Sequence, residues 1–343
     1  MTLMPGDYIP LVSVVVLNFN GKVLLGRCLT SIFNSDCKSL EIIVVDNGSV
    51  DGSIEFTKKE FGNDPRLKII LNESNLGVAE GHNVGIRHSR GKYIAFLDND
   101  TQISSKWFNE LVKALESDPT IGAVQSKIML MDKKNTFDST GGFIDYYGIS
   151  CERGNCIQDI GQYENISEIF HSKCSAMIIR RKVLDEIGFF DSRYFTHYDD
   201  TDLCWRVRLR GYRVLYIPTT FAYHNVSFTA SNLKLDETYY LVKNCITTLI
   251  KNYERKNMFK YLAGFLLLEL TRMMYYFFRR DRRSTSLVKA IVWNMVHLRS
   301  TWRMRIKIQC TLRRVSDGQI MKGIMIKPCP FPLRLLYRIV RCN

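Results

Sequence analysis

The chain has 343 residues, 46% of them hydrophobic and 12% aromatic, which provides for a substantial core and excludes a disordered or low-complexity polymer. Its net charge of +14 is uneven: from residue 243 onward there are 22 Lys/Arg against 4 Asp/Glu, and before it 26 against 30. A slightly acidic body with a strongly basic tail points to an anionic surface as partner, membrane or nucleic acid. In chain order, apolar runs at 12–17, 40–45, 67–71 and 93–97 read as buried parallel strands. Helical patterns at 23–33, 52–61 and 78–88 separate them, and a further helix is expected at 107–116. This alternation predicts βαβ units, an α/β sheet covered on both faces, and a ligand crevice at the strand carboxyl ends. Residues 121–180 mix short strands and glycine-containing loops. Helices are expected at 183–187 and 202–210, and a strand at 214–217 stopped by Pro218. Beyond about residue 230 the pattern is helical with basic punctuation, at 239–253, 259–278, 287–298 and 331–340. Residues 1–10 carry no basic stretch followed by an apolar one, so no secretion signal is expected. Ten scattered cysteines without a CxxC pair are expected as reduced thiols.

Polar residues gather where the strands end. The first strand runs into Asn18, and the second into Asp46, with Asp51 after it. At this position Asp46 reads as a contact to a nucleobase or ribose, whereas Asp51 reads as a cap of the next helix. Asn75, Gly77 and Asn83 belong to a glycine-containing loop and helix start that can approach a ligand closely; His82 and His88 are expected on that helix surface. The run 93–97 leads directly into Asp98-Asn99-Asp100. Two carboxylates this close repel each other unless a cation lies between them, and carboxylate with phosphate oxygens suits Mg²⁺ or Mn²⁺. Asp199, Asp200 and Asp202 exceed what capping a helix requires, and one of the three can serve as general base towards a hydroxyl. Arg206, Arg208 and Arg210 hold phosphates or face solvent.

The ordered set 12–21, 44–49, 75–77, 98–100, 188–191, 199–206 and His224 resembles glycosyltransferase family 2, most of all its rhamnosyltransferase-like, cell-surface polysaccharide and glycolipid members. The resemblance covers about residues 10–310. It implies a GT-A fold with an inverting, metal-dependent mechanism. Asn18, Asp46, Asn75, Gly77, Asn83, Asp98 and Asn99 would then face the nucleotide-sugar donor; Asp98, Asp100 and His224 would hold Mg²⁺ or Mn²⁺, and Asp200 would be the base. Asp199, Asp202 and Trp205 would lie by the acceptor. The family usually has Glu-Asp where this chain has Asp199-Asp200, which shortens the first carboxylate. Residues 1–230 would form the catalytic domain, with a nucleotide-binding half at about 10–100 and an acceptor-binding half at about 101–230, and residues 231–343 a basic helical region.

Three rival classes compete. A nucleic-acid-binding protein would place its basic residues on an aromatic-studded sheet or a zinc module, not on apolar helices. A non-catalytic sugar-nucleotide-binding relative would not need the retained carboxylates. A nucleotidyltransferase would carry a basic, glycine-rich N-terminal loop, and none is present. The tail is expected to dock a cytoplasmic enzyme on an anionic membrane beside a glycan or lipid-linked acceptor. Glu269 and Arg272 within 259–278 are costly at the centre of a bilayer and argue against spanning. Residues 332–341 pattern as an interfacial helix.

Overall fold

The structure is a computed structural model and describes residues 10–226 and 235–328. These fall into two compact units, the first from 10–142, 152–207 and 212–226, the second from 143–151, 208–211 and 235–328.

The first unit is built on one mixed sheet. Its N-terminal part comprises β1 (Val12–Asn18), α1 (Lys22–Phe33), β2 (Leu40–Asp46), α2 (Ser53–Phe61), β3 (Leu67–Leu71), α3 (Gly77–His88) and β4 (Tyr93–Asp98). Strands β4, β1, β2 and β3 lie side by side and parallel. Val12, Val14, Val15 and Val16 have no exposed surface, as expected of a central strand covered on both faces. The order turns back at β1, so the crevice opens where β1, β2 and β4 end, at Asn18, Asp46 and Asp98. Asp51 links two helix starts: its carboxylate accepts from Lys22 N at 2.8 Å and from Ser53 N at 3.1 Å.

Helix α3 departs from expectation. Two of its glycines, Gly81 and Gly85, let the helix lie close on β1. A Cβ on Gly81 would meet Leu17 Cδ1 at 2.4 Å, and one on Gly85 would meet Val15 Cγ1 at 2.2 Å. The helix is therefore buried on most sides, and His82 has no exposed surface, contrary to the surface position expected for it.

The rest of the unit extends the sheet. After β5 (Thr101–Ile103) and α4 (Trp107–Ser117) come β6 (Ile121–Leu130), β7 (Phe137–Ser139), β10 (Ser167–Glu168) and β11 (Ala176–Arg180), while β8 (Gly142–Ile144) and β9 (Ser150–Glu152) form a separate two-stranded sheet that lies mostly in the second unit. They are followed by α5 (Arg181–Ile187), α6 (Asp199–Leu209) and β12 (Arg213–His224). Strand β11 runs antiparallel between β4 and β6. Pro218 does not stop β12. The register against β6 jumps from Ile217↔Ser126 to Phe221↔Lys127, and the proline sits in that irregularity, where no ladder hydrogen bond is required of it. The continued strand pairs with β5, setting His224 opposite Thr101. Helix α6 begins three residues earlier than expected, so that Asp199, Asp200 and Asp202 all lie in its first turn, where the helix dipole favours negative charge.

The second unit contains α7 (Glu237–Asn252), α8 (Arg255–Phe278), α9 (Arg283–Val296), α10 (Leu298–Lys307), a π-helical turn at Ile308–Leu312 and α11 (Asp317–Gly323). Buried polar links tie it together. Arg305 donates to the carbonyls of Ile250 and Tyr253 at 2.6 and 2.5 Å, satisfying the end of α7, and Asn294 donates to Lys243 O at 3.0 Å. Among the described residues no helix is long and apolar enough to cross a membrane. The interfacial helix expected at 332–341 lies outside the described residues.

Candidate active site

The end of β4 carries Asp98 and Asp100, and the end of β12 brings His224 to them through its pairing with β5. The three offer ligand atoms within 4.8 Å of one another. His224 Nε2 lies 3.3 Å from Asp100 Oδ1 and 4.0 Å from Asp98 Oδ2. Its other nitrogen, Nδ1, is 2.9 Å from Asp138 Oδ2, and Lys173 Nζ holds both oxygens of Asp138 at 2.8 Å. Neither Asp138 nor Lys173 stood out in the sequence, since each is one charged residue in an irregular region. Together they fix the ring so that Nε2 faces the carboxylate pair.

Electrostatics follow from this packing. Burial and then the Asp100 charge push the Asp98 carboxyl up from its usual range. Burial alone would lower His224, but Asp100 and Asp138 overcome it and hold its pKa at about 10. Burial likewise works to raise Asp138, and is outweighed by His224 and Lys173, which bring it down to about 2. A proton on His224 thus stands where positive charge is wanted. Asp100 Oδ1 is buried, makes no well-aligned hydrogen bond and has His224 Nε2 beside it at 3.3 Å, so the positive charge it faces is the ring's proton or, in its place, a cation. Two carboxylates and an imidazole nitrogen, one carboxylate partly open, fit Mn²⁺ or Mg²⁺ with places left for phosphate oxygens.

Beside this group runs a chain of amides. Asn99 Nδ2 donates to Asn18 Oδ1 at 2.7 Å, and Asn18 Nδ2 donates to Asp46 Oδ1 at 2.8 Å. Asp46 also accepts from Ser49 Oγ at 2.5 Å and Ser49 N at 2.9 Å. Asn18 and Asn99 therefore orient Asp46, and all three are buried. Asn75 Oδ1 accepts from Gly77 N at 2.9 Å and shapes its own loop. Gly77 has φ +81°, and the place of its missing Cβ is closed by Phe195 O at 2.6 Å, so the loop packs on the 195 segment. Asn83 exchanges hydrogen bonds with the Phe190 backbone, 3.0 Å in each direction, and thereby joins α3 to residues 188–191.

The acidic turn of α6 sorts itself by burial. Asp200 alone of its three carboxylates belongs to a residue with appreciable exposure, and its charge is felt at Asp98. Its Oδ1 accepts from Thr201 N at 2.6 Å. Asp202 is fully buried and paired with Arg206 at 3.0 Å. Arg206 in turn donates to the carbonyls of Ile187, Gly188 and Phe189 at 2.8–2.9 Å, so it binds a loop and neither faces solvent nor holds phosphate. Trp205 has no exposed surface and packs edge-on against Phe170 at 5.5 Å. The expected acceptor position of Asp202 and Trp205 is thus corrected: a helix that packs one face inward carries both into the core. Asp199 is also buried; burial and then the Asp200 charge raise its pKa well above the usual range. It meets His82 and Cys174, with donor atoms within 4.8 Å of one another. The His82 ring lies between Phe96 and Phe190, at 4.9 and 5.3 Å, and burial lowers its pKa to about 3.

Comparison with known proteins gives the family and the fold. Residues 13–188 match the family model of glycosyl transferase family 2. An uncharacterized glycosyltransferase of Haemophilus influenzae is 28% identical over 251 residues, which cover 68% of this chain and 75% of that protein. The chain is similar to the crystal structure of GalNAc-T7 with UDP, GalNAc and Mn²⁺, with TM-score 0.63 and 15% identity over 93% of this chain and 57% of that one. It is also similar to the mannosyltransferase PcManGT from Pyrobaculum calidifontis in complex with GDP-Man and Mn²⁺, with TM-score 0.53 and 17% identity over 92% and 88% of the two chains. This chain therefore spans little more than half of GalNAc-T7, and at these identities the structural likeness is one of fold.

Proposed function

This chain belongs to glycosyl transferase family 2 and has the GT-A fold, and from that premise we propose that it moves a sugar from a nucleoside diphosphate donor to a hydroxyl of a glycan or lipid-linked acceptor, inverting the anomeric carbon. The observation that carries this reading is the convergence of Asp98, Asp100 and His224 at the strand ends, with Asp200 in electrostatic reach. The donor base and ribose lie against Asp46, which Asn18 and Asn99 hold in place. Asp98, Asp100 and His224 hold Mg²⁺ or Mn²⁺, which when bound offsets charge on the departing diphosphate.

Asp200 takes the proton of the acceptor hydroxyl as its oxygen attacks the anomeric carbon. The bond from that carbon to the diphosphate oxygen breaks on the opposite face, and the nucleoside diphosphate leaves with the electron pair. An aspartate with a reference pKa of about 3.9 is a weak base, but the hydroxyl acidifies as the new bond forms. Asp199, next to this carboxylate in the chain, is buried against His82 and Cys174. The donor candidates are dTDP-rhamnose and UDP-sugars, and the setting is the cytoplasmic face of a membrane where cell-surface polysaccharide or glycolipid is assembled. The basic charge from residue 243 onward supports that placement.

The test is a panel of nucleotide sugars with Mn²⁺ and Mg²⁺, read by thermal shift and by release of free nucleoside diphosphate. Release of pyrophosphate, or of no product from any donor, would remove the reading.

A further inference from the structure

Helix α8 turns the usual amphipathic pattern around. Its charged residues in mid-helix, Glu269 and Arg272, face inward and pair at 2.5 Å, both buried. Its outward face is apolar: Phe259, Leu267, Leu270, Met274 and Phe277 recur at spacings of three, four or eight residues, each between 44% and 65% exposed. From Phe259 to Phe277 this stripe runs about 27 Å along the helix. Helices α9 and α10 continue the theme in the same unit with exposed Val292, Met295 and Trp302. A water-facing helix does not expose so much apolar surface without a partner.

The charge around the stripe names the partner. Lys256 and Lys260 flank one end of α8, and Arg279, Arg280 and Arg282 follow the other; all are exposed. Between residues 255 and 307 only two acidic residues occur, Glu269 and Asp281. The first is buried, and the second is held by Arg283 at 2.6 Å. A second copy of this chain would bring basic end against basic end whether the helices ran parallel or antiparallel. A bilayer with anionic headgroups meets both features, taking apolar side chains below the headgroups and basic ones among them.

We propose that the outward face of α8, with the basic residues at its two ends, is the surface by which this protein lies on an anionic membrane. The assignment deepens the membrane placement given above and rests on it, and it names residues that the charge of the tail alone could not. With Glu269 and Arg272 paired inward, neither charge stands between this apolar face and lipid, and the helix lies on the surface, not across it.

The experiment is flotation of the full chain with vesicles of phosphatidylcholine alone and of phosphatidylcholine with phosphatidylglycerol. Binding is expected with the anionic vesicles and is weakened by salt. The pair Leu270→Glu with Phe277→Glu, and the pair Arg279→Glu with Arg280→Glu, should each reduce partition by about tenfold or more. Ile160→Glu, at an 81% exposed apolar residue of the other unit, should change nothing. Thermal melting checks that each variant folds. Wild type that does not float, or variants that float as well as wild type, would overturn the proposal. So would a wild-type dimer that Leu270→Glu with Phe277→Glu converts to a monomer without any vesicle binding. Nucleoside diphosphate release in vesicle-free solution separates the two readings: if it is absent while the flotation pattern holds, glycosyl transfer fails and membrane docking stands.

Discussion

His224 Nδ1 lies 2.9 Å from Asp138 Oδ2, and this one hydrogen bond decides which way the imidazole offers its second nitrogen. Asp138→Asn keeps the shape and can present its amide nitrogen to the ring instead of an oxygen. Loss of such an outer partner costs about 10–100-fold in metal affinity or activity. The expected result is a 10–100-fold rise in the Mn²⁺ concentration for half-maximal transfer, measured below a melting temperature that falls because Lys173 loses its charged partner. Unaltered metal dependence would show that Asp138 does not orient the ring.

The same pair sets a pH dependence for metal binding. The neighbouring carboxylates hold His224 at about 10, so at neutral pH the metal-free ring is protonated, and an incoming ion must displace that proton. Affinity should rise by about tenfold per pH unit between pH 6 and 8 as expulsion of the proton becomes easier. Calorimetry in buffers of different ionisation enthalpy should record release of one proton per ion from this ring. No proton release in wild type, or the same release in His224→Ala, would contradict it.

Removal of the carboxylates tests the metal group itself. Asp98→Ala and Asp100→Ala should each abolish transfer, as should excess chelator, because several kcal/mol of leaving-group stabilisation are lost. Full activity in chelator would show that charge on the diphosphate is offset by other groups.

Asp200→Asn should bind donor as wild type does and transfer about 10²–10⁴-fold more slowly. Asp202→Asn should act differently, through stability, because Asp202 pairs with buried Arg206. Donor affinity by calorimetry and melting temperature distinguish the two cases. Near wild-type turnover in Asp200→Asn would place the base elsewhere.

His82 predicts a loss of stability in acid. Its imidazole is buried with pKa about 3, against 6.5 when free, so between these values only the unfolded chain takes up the proton. Stability attached to a neutral buried imidazole is complete above about pH 6.5 and declines as pH falls towards 3, by up to about 1.4 kcal/mol per unit. Denaturant melts at pH 7, 6, 5 and 4 should show a shallower decline in His82→Asn than in wild type. Parallel curves would mean the ring takes its proton while folded.

Gly85 tests the packing of α3 on β1. A methyl there would stand 2.2 Å from Val15 Cγ1, and a buried central strand cannot yield that distance cheaply. Gly85→Ala should cost about 1–3 kcal/mol by chemical denaturation. A neutral or stabilising result would mean that the helix can lift from the sheet.

The strands and the crevice were legible in the sequence because their signal is local. The valine-rich run 12–16 is buried on both faces wherever it is placed in a parallel sheet, and the polar residues after it must then lie at the strand's end. Asp46, Asp98 and Asp100 could be placed for that reason. Other features depend on partners distant in the chain. Pro218 reads as a stop, yet a register shift against β6 carries the strand on to His224, and pairing with β5 delivers that histidine to Asp100. Asp138 and Lys173 have no pattern of their own; they matter because the fold brings an irregular segment under His224. Periodicity does not tell which side of α3 meets β1, so the pattern points His82 outward where the fold buries it, and it does not tell inward from outward on α8, where Glu269 and Arg272 pair inside and leave an apolar face exposed. Local burial and strand periodicity are properties of neighbouring residues, and the sequence determines them directly. Which side chains share a site, and which face of an apolar helix meets solvent, are settled by long-range packing, and only the tertiary structure decided them.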